Sequence, residues 1–312
     1  MNDEKKVSVV LFFYNEEEHL SKAIDSVLSQ TYSNIELVLV NDGSTDRCDE
    51  IVKHYSDKRI MYISYSENKH QAYAANRGAE VATGDFICFF AGDDIMVPER
   101  IETQVKYLND HEDISVVGCG YTCIDKNGIE TGVKYLYPYH SSDEISAAML
   151  FCNSMGGGCA LLRRKIVVDN NLLHDEKCKV SADYLFWINM LKYAKMANID
   201  KYLILYRNST DYVSQSSKVS SLDRNSYDIM MINIITKAWC QKGFQLNMSD
   251  YQFIYKHMFK KERIIWIGTL LQCNKTYKKI KSQIDALVLS ENEKKLILNY
   301  YDIQKQICLG RS

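Results

Sequence analysis

The chain has 312 residues, a formal net charge of -2 at pH 7, 46% hydrophobic and 25% charged side chains, and a sequence pI near 6.4. That length buries one large domain with an appendage or two modest ones, and the composition excludes a disordered chain. The near-neutral balance gives no global attraction for nucleic acid, so any anion has to be held locally.

Ten cysteines are scattered, and the pair Cys119 and Cys123 lacks a matching second pair for a zinc site. Free thiols in a reducing cytoplasm fit that pattern better than a disulfide framework. No signal-peptide pattern and no run of about 18 apolar residues is present, so the expected location is cytoplasmic. The sequons at Asn208 and Asn247 read as chance.

Val7 to Phe13 is an apolar run of the kind buried on both faces of a parallel sheet. Leu20, Ala23, Ile24, Val27 and Leu28 then fall at helical spacing, with Glu16, Glu17 and Glu18 near the start, where the helix dipole favours negative charge. Ile35 to Val40 is a second strand ending in Asn41-Asp42-Gly43-Ser44-Thr45-Asp46. A helical segment to about Tyr55, a strand from Ile60 to Ser64 and a small-residue helix from Gln71 to Val81 lead to the buried strand Phe86 to Phe90.

That strand runs through Ala91-Gly92 into two adjacent carboxylates, Asp93 and Asp94. Asp94 could cap the helix whose first turn holds Pro98 and Glu99, or the pair could hold a divalent cation, which takes oxygen ligands and is often bound by one or two carboxylates plus a substrate's phosphates. Alternation of strand and helix over the first ~100 residues argues a doubly wound parallel sheet with its ligand beyond the carboxyl ends of the strands. Tyr14-Asn15, Asn41-Asp42 and Asp93-Asp94 are delivered there.

After a helix from Pro98 to about Leu108, Ile114 to Cys119 is a strand, and Asp125-Lys126-Asn127-Gly128 has the Asn-Gly signature of a hairpin. Ser141-Ser142-Asp143-Glu144 resembles a capping box. Gly156-Gly157-Gly158 precedes a strand from Cys159 to Leu162, a helix opens near Asp183, and Tyr202 to Tyr206 is the last strand. From Leu222 onward the pattern is helical, around 223–241, 250–272 and 291–308.

The first strand-to-helix turn, Phe13-Tyr14-Asn15-Glu16-Glu17, lacks Gly-x-Gly-x-x-Gly, and no Walker loop occurs, so a phosphate-bearing ligand needs a metal. Taken in order, Val7-Ser8-Val9-Val10 leading to Tyr14-Asn15, the run Ala23 to Tyr32, and Val40 to Asp46 resemble the family 2 glycosyltransferases. So do Asn76-Arg77-Gly78, Gly84-Asp85-Phe86-Ile87 and Gly92-Asp93-Asp94, with weaker likeness at Ser181-Ala182-Asp183-Tyr184 and Leu205-Tyr206-Arg207.

The resemblance implies an α/β, GT-A fold: a Rossmann-like, mostly parallel sheet flanked by helices, with a C-terminal helical extension. It places the catalytic domain at 1–220, divided into a nucleotide-binding half (1–110) and an acceptor-binding half (111–220), with the extension at 221–312. It implies an inverting, non-processive hexosyltransferase-type enzyme that moves one sugar from a nucleotide sugar, expected to be a UDP-sugar, to a glycan or lipid-linked glycan acceptor in bacterial surface-polysaccharide synthesis. The alternative is an inactive nucleotide-sugar-binding or scaffolding module.

Carried over to this chain, the resemblance makes Tyr14 a stacking surface for the nucleobase and Asp42 an acceptor for the base or ribose. Simple packing of Tyr14 and turn stabilisation by Asp42 are the competing readings. Asp94 is expected to bind manganese or magnesium, and Asp93 to contact the ribose or the metal's water shell; the family's further aspartate is replaced by Ala91. Of Lys69, His70 and Arg77, one is expected to meet the diphosphate, with a solvated helix start as the competing reading.

Asp183 matches the catalytic base, with an N-cap as the competing reading, and Ala182 stands where a glutamate is common. A histidine usual after the Tyr206-Arg207 motif is replaced by Asn208-Ser209-Thr210, and Ser214-Gln215-Ser216-Ser217 reads as a lid. Lys256, Lys260, Lys261 and Arg263 before Ile264-Ile265-Trp266-Ile267 make the C-terminal helices a candidate for peripheral contact with the inner face of the plasma membrane.

Overall fold

The apolar runs become strands of one nine-stranded sheet in the computed structural model, which describes residues 5–178, 181–208, 224–260 and 267–308. β1 (Val7–Phe13), α1 (Leu20–Leu28), β2 (Ile35–Asn41), α2 (Cys48–Lys53), β3 (Ile60–Ser64), α3 (Gln71–Val81) and β4 (Phe86–Ala91) alternate as expected. β1 lies between β2 and β4, and β3 flanks β2, all parallel. Alternate side chains of β1 serve two layers, which is why the run is apolar throughout. Val7, Val9, Leu11 and Phe13 join a core with Leu20, Ala23, Ile24 and Val27 of α1, while Val10 meets Gly78 of α3 on the other face.

β5 (Ile95–Met96) and α4 (Arg100–Asp110) follow, then β6 (Ile114–Ile124) and β7 (Glu130–Tyr135), the hairpin that Asn127-Gly128 announces, with Gly128 at φ 90°. β6 and the final strand are longer than their apolar runs because they pair with each other in parallel beyond those runs. After α5 (Ser142–Ala148), a single tight turn at Gly157–Cys159 leads to β8 (Leu161–Arg163), antiparallel to both β4 and β6. Short α6 (Arg164–Asp169), which no local periodicity announces, α7 (Ala182–Met190) and β9 (Lys195–Arg207) complete this part. The sheet order is β3-β2-β1-β4-β8-β6-β9-β5, with β7 on β6.

The chain divides into two compact units, one of residues 1–138 and 155–222, the other of 139–154 and 223–312. The second unit gathers α5 with α8 (Arg224–Gln241), α9 (Met248–Phe253), α10 (Ile267–Ile284) and α11 (Glu291–Cys308). α5 opens on the expected capping box, with the Ser141 side chain accepting from the Glu144 amide. The sequon residue Asn247 is likewise a helix cap, accepting from the Asp250 amide. Trp239 Nε1 donates to the Leu150 carbonyl at 2.9 Å, fastening α8 to the segment after α5.

No helix among the described residues is long and apolar enough to cross a membrane. Lys260 of the basic tail cluster pairs with Asp228 at 2.8 Å. Lys261, Arg263, Ile264, Ile265 and Trp266, the 214–217 lid and the hydroxyls of Ser209 and Thr210 lie outside the described residues.

Candidate functional site

The carboxyl ends of β1, β2 and β4 are tied together by backbone bonds. Phe13 O accepts from the Asp42 amide at 2.9 Å, and Phe12 O from the Gly92 amide at 3.0 Å. Tyr14 and Asn15 leave β1 between these two. Asn15 sits at φ 52°, its amide donates to Ser44 Oγ at 3.0 Å, and its Oδ1 accepts from the Thr45 amide at 2.8 Å, so the two turns brace each other. Tyr14 is left half-buried at this edge.

Asp42 is buried, and its Oδ1 accepts from the Lys69 amide at 2.9 Å. Burial pushes its carboxyl up, against the pull of that amide. Gly43, at φ 73°, lets the 67–68 backbone approach so closely that a Cβ would lie 2.6 Å from the Asn68 nitrogen. The Lys69 amine itself pairs with Glu67 at 3.1 Å, both exposed. Arg77 is paired with Glu80 and lies 3.9 Å from Glu176, with its guanidinium over the Tyr73 ring. Both carboxylates are met by the same nitrogen, Nη2.

Asp93 and Asp94 are 6% and 5% exposed, a pair of adjacent carboxylates nearly out of water. Neither caps α4, whose N-cap is Glu99 and whose start is separated from them by β5. Asp94 Oδ1 instead accepts from the Arg207 amide at 2.8 Å, 113 residues away in sequence. Burial, then the neighbouring Asp93, push the Asp94 carboxyl well above its ordinary value, partly offset by Arg207.

Arg207 itself is fully buried. Its Nε donates to the Asp93 carbonyl at 2.8 Å, and its Nη1 to the Asp125 and Lys126 carbonyls at 2.6 and 2.9 Å. One side chain thus clamps the acidic turn to the β6–β7 hairpin. Its Nη2 makes no hydrogen bond among the described residues. The signal for this residue was the Tyr206-Arg207 motif, but nothing in it specifies a clamp.

Asp183 is the second residue of α7, two past the N-cap Ser181, which takes a left-handed φ of 52° and makes no side-chain cap. Asp183 therefore does not cap its helix. Its carboxylate lies against the glycine turn, where a Cβ on Gly157 would sit 3.0 Å from Asp183 Cβ and 3.3 Å from Oδ2. A side chain at position 157 would make that carboxylate give way by a few tenths of an ångström. At the adjacent Gly156, a Cβ would sit 2.5 Å from the Tyr137 hydroxyl.

Tyrosines occupy the interval between Asp183 and the acidic pair. Burial pushes the Tyr137 phenol up, with a contribution from the Asp183 charge, and pushes Tyr206 up with help from Asp94 and Asp93. Tyr121 joins them, its ring 5.1 Å from Tyr206 and 6.5 Å from Tyr137. Composition and spacing do not single out Tyr121 and Tyr137, because only the sheet brings them here.

Two carboxylates out of water, Asp94 driven toward its neutral form by burial and then by Asp93, are a donor set that a hard divalent cation suits. No group of three or more His, Cys, Asp or Glu able to hold a metal occurs among the described residues, so this chain would supply Asp93 and Asp94 and leave other positions to phosphate oxygens and water.

A profile of the family described as Glycosyl transferase family 2 matches residues 8–169. A Bacillus subtilis protein described as "Putative glycosyltransferase EpsE" is 31% identical over 265 residues, 83% of this chain and 90% of that one. An uncharacterized glycosyltransferase of Rickettsia typhi is 30% identical over 251 residues, 80% of this chain and 77% of its own length. Among solved structures, S. aureus TarS in complex with UDP-GlcNAc matches with a TM-score of 0.65 at 17% identity, covering 98% of this chain and 92% of that one. The mannosyltransferase PcManGT from Pyrobaculum calidifontis, in complex with GDP-Man and Mn2+, matches with a TM-score of 0.54 at 12% identity over 100% of this chain and 89% of its own. At those identities the structural likeness is one of fold.

Proposed function

The chain belongs to glycosyltransferase family 2, and from that premise we propose that it is an inverting, non-processive enzyme moving one sugar from a UDP-sugar to a glycan or lipid-linked glycan acceptor. The main support is the division of its carboxylates: Asp93 and Asp94 leave the sheet edge beside Asp42 and Tyr14, while Asp183 stands apart against Gly157. An inverting transfer needs that division, because the acceptor hydroxyl attacks the donor's anomeric carbon from the face opposite the departing diphosphate.

In this reading Tyr14 stacks on the base and Asp42 accepts a hydrogen bond from base or ribose. Asp93 and Asp94 hold a manganese or magnesium ion, which when bound supplies Lewis-acid stabilisation to the departing diphosphate. Lys69, on the loop that Asp42 anchors, meets the diphosphate, its amine leaving the exposed Glu67 to do so. Asp183 takes the proton of the acceptor hydroxyl as its oxygen bonds to the anomeric carbon and the bond to the nucleoside diphosphate breaks. Burial of the surroundings and prior alignment of the two substrates supply much of the remaining acceleration.

Of the two structural relatives, TarS is in complex with UDP-GlcNAc and PcManGT with GDP-Man, so the base is tested directly. Thermal melts with UDP, GDP and ADP, each with and without Mn2+, should show the largest metal-dependent stabilisation by UDP. Release of UDP from a panel of UDP-sugars should follow, and should vanish in Asp94→Ala. A preference for GDP would overturn the donor assignment, and stabilisation without turnover on any donor would favour a binding module.

A further inference from the structure

The β6–β7 hairpin carries an aromatic surface that the steps above do not use. Tyr121 and Tyr135 are direct cross-strand partners, their rings stacked at 5.5 Å and 25°. Tyr137 meets Tyr135 edge-on at 4.9 Å, and Tyr206 meets Tyr121 at 5.1 Å. The cluster therefore runs from the Asp93–Asp94 turn, which Tyr206 adjoins, to the glycine turn that Asp183 adjoins. It does not end buried: Tyr135 is 41% exposed, and Val133, two residues back on the same face of β7, is 58% exposed. Arg207 grips the carbonyls of Asp125 and Lys126 in the turn of this hairpin, and the Asp93 carbonyl with its Nε. The surface is thus fixed to the acidic pair by a buried cation.

We propose that Tyr135, backed by Tyr121 and Tyr137, is the platform on which a pyranose ring of the acceptor lies, so that the acceptor is a cyclic saccharide presented by its apolar C–H face. This rests on the transferase reading above and specifies the acceptor's chemical class. A tyrosine ring offers a broad apolar face at little entropic cost, and its hydroxyl answers a sugar's polar rim. An acyclic polyol or a bare lipid alcohol has no such flat face. The span from Asp94 to Asp183 is where an acceptor must sit if one carboxylate takes its proton and the other lies on the donor side.

Saturation-transfer NMR on the full chain with UDP and Mn2+ tests this, using the methyl β-pyranosides of glucose, galactose and N-acetylglucosamine, with ribitol as the acyclic control. At least one pyranoside should receive saturation through its ring C–H protons while ribitol does not. Tyr135→Ala should weaken that pyranoside about 5- to 10-fold, the worth of one aromatic contact, and Tyr135→Phe should restore most of it. Ile129→Ala, elsewhere on the hairpin and 65% exposed, should bind like the parent. Binding of ribitol in preference to every pyranoside, or undiminished pyranoside binding by Tyr135→Ala, would overturn the platform. Loss of nucleotide binding with pyranoside binding intact would sink the donor reading and leave the platform standing.

Discussion

Replacing Arg207 with Met removes the cation behind the acidic pair while keeping most of its volume. The parent side chain has no exposed surface and makes three hydrogen bonds to backbone carbonyls, at 2.8, 2.6 and 2.9 Å. Bonds from a charged donor are worth about 1.5–3 kcal/mol each, but Lys126 stands in an exposed turn where water replaces much of the loss. The full cost falls on the buried Asp93 carbonyl, and the net destabilisation should be on the order of 3–4 kcal/mol, or roughly 5 °C in Tm for a chain of this length. The second consequence is electrostatic. The Asp94 carboxyl, raised chiefly by burial and then by Asp93, loses one of the charges that pull it down and rises further.

A carboxyl whose folded pKa is raised contributes its stability below the unfolded value and loses it as pH rises through the folded one. The window for Asp94 opens near its ordinary 3.8 and extends upward; in Arg207→Met it should extend further. Because protons compete with the cation for this carboxylate, Mn2+ stabilisation should set in at higher pH in the variant. Thermal melts from about pH 4.5 to 8.5, with and without Mn2+, measure both effects on one sample set. Arg207→Lys, which keeps the charge and loses the planar fork, should recover the pH window and only part of the Tm. An Arg207→Met protein that melts within about 2 °C of the parent, with an unmoved pH midpoint for Mn2+, would refute the clamp.

Asp183→Asn should lower turnover by on the order of 10²–10⁴-fold while UDP affinity persists, and near-normal turnover would remove Asp183 from the chemistry. Gly157→Ala should crowd the same carboxylate and lower kcat by about 10-fold or more with UDP affinity unchanged; an unaltered kcat would mean that Asp183 has room to give. His174 is half-buried, stacked on Phe186 at 4.3 Å and edge-on to Phe89 at 4.9 Å, and its partial removal from water lowers its pKa from 6.5 to about 4. Its contribution is present above 6.5 and lost as pH falls toward 4. His174→Phe should flatten the acid limb of the stability profile, and an unchanged slope in urea melts between those pH values would assign the limb elsewhere.

Much of the fold is legible in the residues themselves, because burial leaves a local signature. Strands β1 to β4 appear as apolar runs, α3 by its small-residue spacing, the hairpin by Asn127-Gly128 and α5 by its capping box. The turns that present Tyr14, Asp42 and the Asp93–Asp94 pair are also readable, since a strand buried on both faces releases polar residues only at its end. Two local cap readings fail for different reasons: β5 stands between Asp94 and α4, whose cap position is Glu99, while Ser181 takes the cap position two residues before Asp183. For Asp183 a two-residue shift in the helix boundary decides the cap, and sequence spacing does not resolve it.

The sequence by itself determined the alternation of elements, the polar strand ends and the family, because each is written within a few consecutive residues. Only the tertiary structure decided what those residues meet. The Arg207 bonds to Asp94 and Asp93 span 113 and 114 residues, and the tyrosine surface exists only where β6, β7 and β9 align in register. The same holds for the room that Gly157 leaves Asp183, and for the joining of 139–154 to the helical unit. Such contacts are set by strand pairing and by burial summed over the whole core, and no local pattern in the chain encodes either.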